Sequence, residues 1–572
     1  MANAIDTKSR TRFVCPGNWN SAAPFLAVAL VLGLFQAWAN RFYMENDGVP
    51  YLDMADAYLR GDWHTALNGY WNPLYAWLIG LDFLIFRPSA YWEYPAVQLL
   101  NFACYALTVA SFEYFLRGVL ARKPANDLAV RFIAYAIFLW ASLVLIRVFT
   151  ANADMLVAAS VFTASGILVR AHTTKTASVP TLVCLGLTLV AGYYCKAVMF
   201  PLSVFFLFLA WAVLGWRRSL LAASVFVLAA APLVAGISKT TGRLTFGGNG
   251  QLVYSWYVNG VPFRWWQGGP AAAGKPLHPP RVALDSPRIY EFGGDFPSVT
   301  YSIWYDSTYW YRGLHVQSLP RLFAKTAWSN FKGVVKVLLL QGGGFLLGLG
   351  ICFFRSNKKR QVLPDFGSMW PVLAASVAGI LLYCAVHVEP RYIGAFVAMP
   401  LLAAYVAARI PERRLAAAIA IVGLLWSLGF SAVTASLGHK FLPFDGAKYV
   451  PWDHVLSNVS WQAATGLQQL GLRANDRVGS VCYSNRNNVF WARLARVHII
   501  AEPDWDVRFW QPSDVDQRRV LEALARAGAV MAVSDETPPD PARAVGWRQA
   551  ASTNYYAYSL SQLPALVQNS WQ

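Results

Sequence analysis

Apolar residues in this chain gather into blocks of about 17 to 25, the length a helix needs to cross a bilayer. Such blocks run at 22–43, 93–116, 128–148, 154–170, 178–195, 197–214, 219–237, 333–354, 367–386, 393–409 and 416–435. The polar residues between them divide by sign. Connections 117–123, 170–175, 216–218, 355–360 and 409–414 are basic, while those holding Asp47, Asp154, Lys196 and Glu389 alternate with them. With a cytoplasmic N-terminus, this threading puts every basic connection inside, as the bias of Lys and Arg toward the cytoplasm requires. The pattern predicts a polytopic α-helical membrane protein with about 11 transmembrane helices.

Three longer pieces then fall on the outer side. The first, 44–92, contains two aromatic, amphipathic segments at 51–60 and 73–86 that read as juxtamembrane helices. The second, 238–332, is rich in Gly, Pro and aromatics and is too long for a plain connection; its segment 319–328 is amphipathic. The third, 437–572, has the composition of a soluble domain. Strands are predicted over 477–484, 529–534 and 555–559, with a surface helix over 516–527. The expected organisation is a membrane domain, 1–436, that includes both outer loops, and a small extracytoplasmic α/β domain, 437–572, without a Gly-rich nucleotide loop.

Composition narrows the class further. Of 572 residues, 56% are hydrophobic and 14% charged, the latter roughly half the share in soluble domains. The net charge of +18 does not point to nucleic acid, because much of the excess lies in short connections and no binding motif accompanies it. The seven Cys form no CxxC pair and read as small buried hydrophobes. Lys8, Arg10 and Arg12 lead into the first block without a small-residue cleavage site, which predicts a retained helix and not a removed signal peptide.

The candidate chemistry lies at the block ends. Glu45, Asp47, Asp53 and Asp56 follow the first block, Asn152 to Asp154 open the fourth, Lys196 follows a Tyr pair, and His387-Val-Glu-Pro-Arg-Tyr392 precedes the tenth. Ionisable groups at a membrane boundary are costly unless paired or facing a cavity. Each has a plain alternative: Asp154 as a helix cap, Lys196 snorkelling to the interface, Arg391 paired with Glu389 or anchoring headgroups. The crowded acids around Asp47 are harder to explain that way, since like charges raise a neighbour's pKa and suit a carboxylate to act as a base. A carboxylate base with several cations fits attack of a hydroxyl on a sugar anomeric carbon with a lipid phosphate leaving. The carboxylate takes the proton and the cations neutralise the phosphate. Trp71, Tyr75 and Tyr392 are candidates to line the lipid or sugar surface, and direct attack inverts the anomeric centre.

These residues, in this order, resemble the polytopic GT-C glycosyltransferases, especially the bacterial lipid A aminoarabinose transferases and the protein O-mannosyltransferases. The likeness spans roughly 20–410 and rests on short motifs: Glu-Asn-Asp-Gly at 45–48, Tyr-Trp-Asn-Pro-Leu-Tyr at 70–75, Asn-Ala-Asp-Met at 152–155, Lys196 and Arg391-Tyr392. It implies a polyprenyl-phosphate sugar as donor and a glycan, lipid or protein of the envelope as acceptor. It also implies work on the extracytoplasmic side of a bacterial inner (plasma) membrane. Asp47 would be the catalytic base and Asp154 the second acid, with Lys196, Arg391, Tyr392 and His387 toward the donor phosphate or lipid. Many relatives have adjacent Asp-Glu where this chain has Glu45-Asn46-Asp47, so Glu45 is an alternative base, or Asp53 shares the role. The C-terminal domain resembles soluble tails of some bacterial members, cell-wall arabinofuranosyltransferases included. No cofactor is required by the residues; Asp47 with Asp154 is the pair a divalent cation would use.

Three other readings stand beside this one. A transporter of lipid or sugar would carry charges midway along spans and some internal duplication. A scaffold of envelope polymer assembly would tolerate Asp47→Asn. An acyl or phosphoethanolamine transferase would need a metal cluster or buried His, and the eight His have no such spacing. A cytoplasmic nucleotide-sugar donor is disfavoured, since every cytoplasmic piece is no more than a loop.

Overall fold

A computed structural model describes residues 19–121, 127–267, 271–356, 359–408, 412–437, 458–482, 489–511 and 516–563. The expectations for Lys8, Arg10 and Arg12, for Arg122, Lys123, Lys358 and Arg409 in the basic connections, and for 483–484 lie outside these residues. Every predicted apolar block falls on a helix. Among the described residues, seven helices are long and apolar enough to cross a membrane, or up to nine if each of two bent pairs forms one span. Val179–Cys195 and Met199–Leu214 are shorter apolar helices outside that count. The chain is a multi-pass helical membrane protein.

Burial separates the inner helices from the peripheral ones. Leu128–Ile146 and Asp154–Thr174 are 83% buried along their apolar windows, against 22% for Ser21–Ala39 and 28% for Trp216–Thr241. The inner helices carry a buried ion-pair group in which Arg131 donates to both Glu113 oxygens at 2.9 Å and Arg117 and Tyr135 complete the set. The predicted span 333–354 is not straight. Pro320–Gln341 meets Gly343–Arg355 at 74°, where wide π-type turns over Val337–Gln341 run into Gly342. Such turns and glycines are the usual sites of sharp helix kinks.

Segment 44–92 also forms the expected helices, Gly48–Arg60 and Pro73–Phe86, the latter begun by a Pro whose fixed φ suits a first turn. The sheet is larger than the tail alone predicts. Among the described residues it has seven strands: β1 (Arg281–Asp285), β2 (Arg288–Glu291), β3 (Arg477–Ser480), β4 (His498–Pro503), β5 (Met531–Ser534), β6 (Trp547–Gln549) and β7 (Tyr556–Ser559). Their order is β1-β2-β4-β3-β5-β7-β6, with β3 parallel to β4 and β5 and the other pairs antiparallel. The hairpin β1–β2 comes from the 238–332 loop. Alternate strand residues point to opposite faces. Ile289, Ile500 and Ala532 share a core with Leu521 and Leu524 of the helix Gln517–Arg526, whereas Tyr290, Ile499 and Val533 join the core that runs on into the membrane helices. The sheet is packed down onto the apolar helices.

Candidate active site

Four helix ends bring the charged residues together. Asp47 immediately precedes Gly48–Arg60, Asp154 is the first residue of Asp154–Thr174, Lys196 follows Val179–Cys195, and Arg391 lies in the first turn of Pro390–Ala408. A cation at a helix N-terminus opposes the helix dipole, so Arg391 needs compensation from carboxylates. Its Nη2 donates to Asp47 Oδ2 at 3.0 Å and its Nε to Glu389 Oε2 at 2.6 Å. Glu45 lies 3.8 Å and Asp154 Oδ2 3.6 Å from the same guanidinium.

Asp154 does not spend its carboxylate on capping its own helix. Lys196 donates to Asp154 Oδ1, and the Lys196 ammonium sits 4.0 Å from the centre of the Tyr392 ring, a cation–π arrangement. Asn152 holds the loop in register: its side-chain oxygen accepts from the Asp154 N–H at 2.9 Å, and its amide donates to Glu45 Oε1 at 2.9 Å. His387 is 3.3 Å from Glu389 and stacks on Tyr257 at 3.8 Å between ring centres. Glu45, Asp47, Asp154, Lys196, His387, Arg391 and Tyr392, all singled out from sequence, thus form one cluster, with Glu389 and Asn152 completing it.

Burial tunes its acids. Removal from water is the largest influence on Glu45 and, with the nearby Asp47, pushes it up to about 7 against the pull of Arg391 and Asn152. Burial works the same way on Glu389, but the charges of Arg391, His387 and Lys196 and the His387 hydrogen bond override it and hold Glu389 well below the usual carboxylate range. Asp154 is shut in, with 2% of its side chain exposed, whereas Asp47 and Lys196 keep 21% and 20%. A reactant therefore meets Asp47 and Lys196 first.

Asp53 joins a different cluster. Its carboxylate accepts from the Thr300 N–H and hydroxyl at 2.9 and 2.8 Å and from Arg493 at 2.9 Å. Arg493 also binds Asp56 and Glu93, each at 2.6 Å. Sequence reading missed Arg493, which looks like any Arg in a soluble domain, and Tyr257, which looks like any loop aromatic. Trp71 and Tyr75 are buried around Tyr51, ring centres 5.2 and 5.0 Å away. Tyr70 packs on Trp71 and faces Trp256 and Trp304 from the 238–332 segment.

As a metal centre the Asp47–Asp154 pair fits poorly, because both carboxylates reach the one guanidinium of Arg391. Among the described residues no group of three or more His, Cys, Asp or Glu side chains has the arrangement to hold a metal ion.

No protein-family model matches the chain, and no curated protein matches its sequence. Solved structures do match. ArnT from Cupriavidus metallidurans in the apo state aligns over 95% of this chain and 98% of its own, at 12% identity and a TM-score of 0.52. The same protein bound to undecaprenyl phosphate aligns over the same shares at 13% identity and a TM-score of 0.48. The Archaeoglobus fulgidus oligosaccharyltransferase in the apo form aligns over 90% of this chain and 69% of its own, at 11% identity and a TM-score of 0.46. The alignment with apo ArnT covers nearly the whole of both chains. This chain has the fold of ArnT.

Proposed function

We propose that this protein is an integral-membrane glycosyltransferase that moves a sugar from a polyprenyl-phosphate donor to a hydroxyl of an envelope glycan, lipid or protein. It does so on the extracytoplasmic face of a bacterial plasma membrane. The observation that carries the reading is Arg391, a cation in a first helical turn held among Glu45, Asp47, Asp154 and Glu389, with Lys196 beside it. That set supplies a carboxylate and two phosphate-binding cations within one side chain's reach.

In the reaction, the acceptor hydroxyl binds at the more exposed edge, beside Asp47. Asp47 takes its proton as the oxygen attacks the anomeric carbon from the side opposite the phosphate. The bond from that carbon to the phosphate oxygen breaks, its electron pair stays with the polyprenyl phosphate, and the sugar inverts. Lys196 turns from Asp154 toward the phosphate, and Arg391 balances the charge growing there. These two resident cations serve the phosphate directly, and no step is routed through a metal ion. Glu45 is the second reading for the base, favoured by its position near 7, where a general base works best at neutral pH.

The test is transfer by the purified protein in lipid vesicles, with a panel of labelled undecaprenyl-phosphate sugars (the carrier lipid ArnT was solved with) and a crude envelope acceptor. Donor-dependent labelling of the acceptor supports the reading. Movement of donor across the bilayer without transfer would instead favour a transporter.

A further inference from the structure

We propose that Arg493 is a positioning residue through which the C-terminal domain sets the place of Asp47. The inference deepens the transferase reading and rests on it. Arg493 comes from the short helix Phe490–Ala495 and is 3% exposed, yet its partners all lie about 400 or more positions away in the chain. Its Nη1 donates to Asp53 and Asp56, and its Nε to Glu93. Arg496 adds a second cation against Glu93 and Asp56.

The choice of partners separates this from plain docking. Asp53 and Asp56 are three apart on Gly48–Arg60 and so share one face of it. That helix begins directly after Asp47, and Asp53 lies about 9 Å along its axis from Asp47. Its N-terminal end is wedged against the loop before Asp154: a Cβ on Gly48 would come within 2.8 Å of the Ala151 side chain. At its far end, Gly61 in a left-handed conformation leads away from the helix. Between these ends Tyr51 packs one face of the helix against Trp71 and Tyr75, and the grip on Asp53 and Asp56 holds another. Glu93, the third partner, starts another span, so Arg493 ties the Asp47 helix to the membrane bundle and both to the sheet domain. Thr300 grips the same Asp53 carboxylate from the second outer loop, and Tyr301, next to it, donates to the buried Glu502 of β4 at 2.7 Å. A rigid helix moved at one end carries the other with it, and a shift of about 1 Å at a reacting group can cost a hundredfold in rate.

The test uses the full-length protein in vesicles with Arg493→Lys, which keeps one positive charge but loses the fork that spans three carboxylates. The expected result is a fall in kcat of about ten- to a hundredfold with donor KM unchanged. Amide exchange should become faster over 48–60 and stay as in the wild type over 128–146. Should Arg493→Lys fail to fold, Asp56→Asn removes one partner and is read in the same way, with a smaller fall. Wild-type kcat in a variant whose 48–60 amides exchange faster would overturn the proposal, and so would unchanged exchange over 48–60. If the wild type transfers no sugar from any donor, the transferase reading fails, and the exchange comparison still decides whether Arg493 holds the Asp47 helix.

Discussion

Arg391 donates to Asp47 at 3.0 Å across 344 positions of chain. The contact joins the segment after the first span to the start of a late span, so carboxylate and cation are held as one unit before any reactant arrives. Such preorganisation is worth most in a partly buried site, where charges are little screened.

Lysine should not replace Arg391. The guanidinium reaches Asp47, Glu389, Asp154 and Glu45 from one fixed plane, which a single ammonium cannot do. Arg391→Lys is expected to lower kcat/KM for transfer by about a hundredfold or more, a loss of the size seen when one preorganised charge-stabilising donor is removed. A steady-state assay on correctly folded variant checks it, and wild-type kcat/KM would contradict it.

The Asp154–Lys196 pair separates stability from chemistry. Asp154→Asn alone leaves Lys196 without its carboxylate, and Lys196→Met alone leaves a buried Asp154 short of a cation. Breaking a buried pair from one side costs about 3–5 kcal/mol, whereas removing both partners is often close to neutral. The double variant should therefore melt nearer the wild type than either single variant, while transferring no sugar. Thermal melts in detergent with parallel activity assays report both.

Glu45 gives a pH signature. Its folded value is raised from the usual 4.5 to about 7, so across that window the native protein keeps a proton that the unfolded chain has released. Its contribution to stability therefore falls as pH rises from 4.5 to about 7, by at most on the order of 3 kcal/mol. Melting temperatures of wild type and Glu45→Gln should diverge with pH, the variant gaining on the wild type between pH 5 and pH 8. A difference that does not change with pH would contradict this.

Glu113 should behave oppositely to the site carboxylates. It lies twenty residues along its helix from Glu93 and serves Arg131, Arg117 and Tyr135. Glu113→Gln is expected to destabilise by about 3–5 kcal/mol and to leave kcat per folded molecule unchanged, measured on the fraction that elutes as a single species.

The charged cluster was readable where its residues break a pattern. Asp47, Asp154, Lys196 and Arg391 interrupt apolar blocks at their ends, and their convergence follows from alternate threading of the spans. Asp53 marks where sequence proximity stops helping. It lies six residues from Asp47, about two thirds of a turn round the helix axis once whole turns are removed, and its carboxylate bonds to Thr300 and Arg493. Arg493 was invisible because nothing local distinguishes it; only the fold buries it against three acids. The strands at 281–291 were equally hidden, being short, largely exposed on β1, and stabilised by pairing with β4 more than two hundred residues later.

Asp47→Asn tests the central claim most directly. The substitution keeps the shape of the side chain and removes its charge and basicity. In vesicle-reconstituted protein with a donor that the wild type uses, it is expected to cut kcat by about a hundred- to ten-thousandfold, with donor binding retained and the melting curve still cooperative. Undiminished turnover by Asp47→Asn would contradict the account and remove Asp47 from the chemistry.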